Sequence, residues 1–211
     1  PIMFSHTMSI HTFKPQKAAG FTLIELLVVI AIIALLASLT IGAFNYATTA
    51  AGRNRTSATQ AAIMAGLERY NADFGEYPAP SAPDATAQFN NITYRAGGAE
   101  MLYQALSGDG TSAIQLANGG GRGSDGRVDD DEAPNIKMAD MPKEIWLLVN
   151  SRYYIVDGFR KPFQYTKGGE PDAVNPTYDL WSFGQDEQNT NSVSVNMKTD
   201  PMVNAKWITN W

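Results

Sequence analysis

Residues 21–39 read Phe-Thr-Leu-Ile-Glu-Leu-Leu-Val-Val-Ile-Ala-Ile-Ile-Ala-Leu-Leu-Ala-Ser-Leu, with Glu25 as their only charge and an unbroken apolar run from 26 to 37. At about 1.5 Å of rise per residue this stretch extends roughly 28 Å, close to the hydrocarbon thickness of a bilayer. The spacing therefore predicts a membrane-spanning helix. Lys14 and Lys17 precede it with no acid nearby, so the positive-inside rule keeps that side cytoplasmic and sends the remainder outward. A secretory signal peptide also has a basic start and an apolar core, but it rarely places a carboxylate inside that core and ends in a small-residue cleavage site.

Glu25 is costly inside hydrocarbon and less so near its edge, so it either sits at the headgroup level or marks a partner. The rest of the chain is of a different kind. The chain as a whole carries 16 Lys plus Arg against 21 Asp plus Glu, no Cys, and only two His, at positions 6 and 11. No disulfide framework or thiol nucleophile is available, and the acidic balance argues against a nucleic-acid partner. The mean hydropathy of -0.22 averages one apolar segment with a polar body.

Lys17-Ala-Ala-Gly20 followed by Phe21-Thr-Leu-Ile-Glu25 resembles the processing site of type IV prepilins and of the pseudopilins of type II secretion. The resemblance implies cleavage after Gly20 by a membrane-bound prepilin peptidase, N-methylation of Phe21, and a role for Glu25 in filament assembly. A carboxylate at the membrane edge pairs with the terminal ammonium of a neighbouring subunit, which neutralises both charges in an apolar filament core. Many members have Pro near the twenty-second mature position, where this chain has Gly42; Gly also weakens a helix, by about 1 kcal/mol against Ala.

Beyond residue 42, Ala61, Ile63, Met64, Leu67, Tyr70 and Phe74 recur at steps of three and four, which predicts an apolar stripe facing a core. One helix of roughly fifty residues is expected to run until Gly75-Glu-Tyr-Pro78 stops it. Residues 79–91, with Pro80 and Pro83, read as a loop, and 99–107 as a short helix with Met101, Leu102, Ala105 and Leu106 inward. Residues 108–134 hold too few apolar side chains to bury themselves and read as an extended, variable loop. From Ile145 onward, short aromatic and β-branched runs separated by Gly, Asn and Pro predict an antiparallel meander. The fold class is thus α+β and pilin-like, a long helix on a C-terminal sheet. Its segments are a leader at 1–20, a membrane and filament-core helix at 21–41, the outer half of the helix at 42–78, a variable region at 79–144 and the sheet at 145–211.

The run Leu67 to Pro78, the stretch Asp157-Gly-Phe-Arg-Lys-Pro162-Phe-Gln-Tyr165, the stretch Tyr178-Asp-Leu-Trp-Ser182-Phe-Gly184-Gln-Asp186 and the ending Ile208-Thr-Asn210-Trp211 resemble the major, G-type pseudopilins. That similarity implies a structural subunit of a type II secretion pseudopilus in the bacterial inner membrane, with its C-terminal domain periplasmic. Its implied partners are prepilin peptidase, further copies of itself, other pseudopilins and the inner-membrane assembly platform. The alternative is a type IV pilus pilin, or a minor pilin, for adhesion, motility or DNA uptake. The resemblance also implies one calcium ion near the C-terminus, held by backbone carbonyls and Asp side chains. Asp186 falls on its first acidic position, whereas the second, just before Ile208, is Trp207; Glu187, Asp200 or backbone oxygens are the possible replacements.

Other chemistry finds little support. The cluster Asp125, Asp129, Asp130, Asp131 and Glu132 lacks the alternating ligands and central Gly of an EF-hand. Gly119-Gly-Gly-Arg-Gly-Ser lacks the Gly-Lys-Ser/Thr ending of a phosphate loop. No Ser lies in a Gly-x-Ser-x-Gly elbow, and a carboxylate pair such as Asp179 and Asp186 is the sole catalytic candidate, so an anchored enzyme is the weaker reading.

Overall fold

The structure is a computed structural model that describes residues 20–117, 119, 121–128, 143–188 and 190–211. By contact density the chain falls into two units, Pro1–Asn45 and Tyr46–Trp211. Helix α1, Leu23–Phe74, is 52 residues long. In the first unit its apolar side chains are all exposed, from Phe21 and Leu23 to Ile41 and Phe44, as expected of a segment whose solvent is lipid or other helices. Helical backbone continues unbroken through Gly42.

In the second unit α1 buries most of the expected apolar stripe, together with a run of small and polar residues on the same side. Ile63, Leu67 and Tyr70 are buried, but Ala61 is exposed and Phe74 is half exposed, its ring tilted 33° to that of Tyr70 with centroids 4.4 Å apart. The remainder of the buried face is Gly52, Thr56, Thr59, Gln60 and Gly66. Small and hydrogen-bonding residues serve there because the partner is backbone. Thr56 Oγ1 donates to the Gly52 carbonyl at 2.8 Å and accepts from the Gly158 N–H at 3.0 Å, while Gln60 Nε2 donates to the Leu180 carbonyl at 2.9 Å. A Cβ on Gly52 would lie 2.6 Å from the Phe159 ring, so only glycine permits the approach. The helix ends at Gly75, whose φ of 78° is left-handed and whose N–H returns to the Asn71 carbonyl.

Strands β1, Thr86–Phe89, and β2, Ile92–Arg95, form an antiparallel hairpin where the sequence reads as loop up to 91. Its turn residues, Asn90 and Asn91, both have positive φ, and Asn tolerates that conformation. Helix α2, Gly97–Ser107, buries Met101, Leu102, Ala105 and Leu106 as expected, and packs on the later strands. The expected meander is split. Strands β3, Trp146–Val149, and β4, Arg152–Ile155, make one hairpin; β5, Gln164–Lys167, β6, Tyr178–Ser182, and β7, Ile208–Thr209, make a separate three-stranded antiparallel sheet. Between them only an isolated bridge, Val156 to Pro162, remains, because Pro162 has no N–H to extend the ladder.

All five residues of β6 are buried. Leu180 belongs to the core with Ile63, Leu67, Met101 and Phe163, and Trp181 to a second core with Phe89, Tyr94, Phe183 and Trp207. After β6, two short helices, α3, Val195–Thr199, and α4, Pro201–Asn204, precede β7.

Candidate functional site

The N-terminal candidate site is built by a helix start. Thr22 immediately precedes α1 and Glu25 is its third residue. The Glu25 N–H donates to Thr22 Oγ1 at 3.3 Å, and Glu25 Oε2 accepts from both the Thr22 N–H and the Thr22 hydroxyl at 2.8 Å. This reciprocal pair is a capping box. It places Gly20 and Phe21 outside the helix, both exposed, Phe21 at 87 %. The peptide between Gly20 and Phe21 is therefore free of helical hydrogen bonding, the state a peptidase needs. Thr22 carries no assigned role in the processing motif, and its sequence signal as a cap is Thr-x-x-Glu before an apolar run.

The C-terminal candidate, Asp186, lies in the turn after β6. Its Oδ2 accepts from the Trp207 indole N–H at 2.9 Å and its Oδ1 from the Gln188 N–H at 3.1 Å. Its carbonyl oxygen accepts from the Lys161 ammonium at 3.0 Å, which also lies 3.5 Å from Glu187 Oε1. Asp200 accepts from the Met202 N–H at 2.8 Å as the cap of α4. Among the described residues, no three His, Asp or Glu converge as metal ligands. Asp129, Asp130, Asp131 and Glu132 lie outside the described residues. Asp125 is described, and its carboxylate turns back to the Arg127 N–H at 2.9 Å.

Asp179 and Asp186 share no hydrogen-bond partner, each being bonded to different groups. Asp179 Oδ2 meets the Lys198 ammonium at 2.8 Å and the Val174 N–H at 2.8 Å, and Oδ1 the Asn175 N–H at 2.8 Å. Lys198 and Asp179 side chains are both fully buried. Lys198 also donates to the Asp172 carbonyl at 2.6 Å and lies 4.4 Å from the centre of the Trp181 ring. Burial pushes its ammonium below the ordinary lysine pKa, against the opposing pull of Asp179. The sequence offered no sign of this pair, because its members lie nineteen residues apart in different elements.

Asp109 is the other buried acid the sequence concealed. Inside the stretch read as a loop, its carboxylate accepts from the Tyr103 hydroxyl at 2.7 Å and from the N–H groups of Asp125 and Gly126 at 3.0 and 2.8 Å. It organises the described part of that loop.

Residues 15–41 match the family described as the prokaryotic N-terminal methylation motif. The match spans Gly20, Phe21 and Glu25 and supports a type IV pilin-like protein, a substrate of prepilin peptidase. No curated protein and no solved structure matches the chain.

Proposed function

We propose that this chain is a non-enzymatic structural subunit of a type II secretion pseudopilus. It waits in the bacterial inner membrane on the first part of α1 with its C-terminal domain periplasmic. Prepilin peptidase cuts after Gly20, Phe21 is N-methylated, and the chain joins other copies, with further pseudopilins and the inner-membrane assembly platform, in a helical filament. The observation that carries the reading is the coincidence of the methylation motif with a helix whose 18-residue apolar window has a mean hydropathy of 2.8 and no buried residue. Nothing among the described residues covers that surface, and lipid followed by neighbouring copies of the same helix would.

Glu25 then has two uses in succession. Before assembly its charge is held by the Thr22 N–H and hydroxyl; in the filament it pairs with a neighbour's terminal ammonium. Mass spectrometry of the N-terminus of protein recovered from cells tests the processing: a methylated Phe21 is expected, and an intact Gly20–Phe21 bond would overturn the reading. Deleting the gene separates the two machines. Loss of exoprotein secretion is expected, whereas intact secretion with failed twitching or DNA uptake would assign the chain to a type IV pilus.

A further inference from the structure

The loop between β6 and β7 is where the resemblance implies a calcium ion, and the acidic side chains described there, Asp186, Glu187 and Asp200, already have other partners. Calcium takes six to eight oxygens at about 2.3–2.6 Å, usually with more than one carboxylate. The Asp186 carboxylate receives an N–H on each oxygen, and its carbonyl receives an ammonium. Asp200 is spent on α4, and Glu187 faces the same ammonium.

The two groups that fill the loop are held from outside it. Lys161 is buried, its N–H donating to Asp157 Oδ1 at 2.8 Å and its carbonyl accepting from the Asp157 N–H at 2.8 Å, so its stem is aimed by a buried acid. Trp207 is buried edge-on to Phe183, ring centroids 5.1 Å apart, which fixes the direction of its indole N–H. Where an acid would have supplied a second negative ligand, the chain has a hydrogen-bond donor to the first one.

We infer that the Lys161 ammonium and the Trp207 indole N–H together replace the metal ion, so that this loop is locked by the chain's own cation and donor and is indifferent to calcium. The replacement follows the change in charge: with no acid at position 207, a single ammonium against the Asp186 carbonyl and Glu187 stands where the resemblance implies a divalent ion. It stands apart from the filament reading, since it concerns only how the loop is closed.

Thermal melting of the full chain in detergent micelles, followed by tryptophan fluorescence, tests it with calcium chloride and with chelator. A ligand at about a hundred times its Kd raises a midpoint by several degrees. The wild-type midpoint is expected to be the same in both solutions. Lys161→Met is expected to lower it by several degrees in either. The double variant Lys161→Met, Trp207→Asp is expected to regain several degrees when calcium is added. A wild-type midpoint that rises with calcium and loses that rise in Asp186→Asn would overturn the inference, as would a Lys161→Met protein that melts like the wild type.

Discussion

Replacing Lys198 by Met is the sharpest test of how the second unit is held together. The pair it forms with Asp179 is completely shielded from solvent, and removing one member of such a pair costs about 3–5 kcal/mol because the other charge stays behind unpaired. Two features set where in that range the loss falls. Asp179 retains the Val174 and Asn175 N–H groups, both at 2.8 Å, which continue to favour its ionised form. Against that, the Asp172 carbonyl and the Thr166 hydroxyl lose their donor, at about 1 kcal/mol each, and the Trp181 face loses its cation. A loss of about 4 kcal/mol follows, which with an m-value of about 2 kcal/mol/M moves a urea midpoint by about 2 M. Because burial outweighs the partner in setting the Lys198 pKa, the intact pair contributes little net stability over an apolar one. Lys198→Met combined with Asp179→Asn is therefore expected to recover much of the loss. The assay is equilibrium urea unfolding of the full chain in micelles, read by the fluorescence of Trp181 and Trp211, both of which face Lys198. A single-variant loss under about 1 kcal/mol, the value of a solvated surface pair, would refute the reasoning, as would a double variant no better than the single one.

Three further outcomes are expected. Glu25→Gln preserves the capping box, since Gln serves at that position as Glu does, so the variant inserts normally but fails to enter filaments; Glu25→Ala loses both, and its first turn frays as read by amide exchange at Leu26. Equal incorporation of Glu25→Gln and wild type would remove the charge from the assembly step. Thr56→Val leaves the Gly158 N–H without its acceptor and is expected to cost about 1–3 kcal/mol, measured by the same unfolding assay. Asp157 is held above the usual carboxylate pKa by burial, with the Ser182 hydroxyl and the Lys161 and Phe159 N–H groups pulling the other way. A raised folded pKa adds stability that is complete below the unfolded value of about 4 and is lost as pH rises through the folded one. Asp157→Asn lacks that contribution, so the advantage of wild type over the variant should grow on acidification from pH 7 to about pH 4; an advantage that shrinks would contradict the burial of Asp157.

What could be read from the sequence divides along a physical line. The bare apolar half of α1, its stop at Gly75 and the inward face of α2 follow from local periodicity and from residues with one dominant conformational effect. The docked half of α1 was legible only in part: Ile63, Leu67 and Tyr70 follow from the apolar spacing, but Gly52, Thr56, Thr59 and Gln60 complete the buried face, and a hydropathy reading assigns them to solvent. Their partners are backbone groups of Gly158 and Leu180, more than one hundred residues away. The β1–β2 hairpin was missed for a different reason: Asn90-Asn91 is a two-residue turn signal between TAQF and ITYR, but the flanking prolines outweighed it. In the candidate sites, Gly20, Phe21 and Glu25 were legible as one contiguous motif. Thr22 and Lys161 were not: Thr22 matters through a reciprocal bond to Glu25, and Lys161 through a loop 25 residues further on.

The C-terminal stretch, which reads as a signature, is in this chain a clasp. Asn210 lies beyond the short ladder of β7, yet its side-chain oxygen accepts the Leu180 N–H at 2.9 Å and its amide donates to the Tyr178 carbonyl at 3.2 Å. The side chain thereby imitates a peptide group and extends pairing along β6 after the strand itself has ended. Trp211 lies edge-on to Trp181, centroids 5.7 Å apart, and its indole N–H donates to the Lys198 carbonyl at 3.1 Å, so it covers the buried ion pair. Ser182 donates to Asp157, the acid that aims Lys161 toward Asp186. Each signature residue thus closes the loop from a different side, by a hydrogen bond or an aromatic face. A loop closed in this way has its electrostatic needs met by Lys161 and Lys198, both placed by groups outside it. With the Lys161 ammonium on the Asp186 carbonyl, the residue opposite its carboxylate is a donor, and Trp207 supplies it while filling the core.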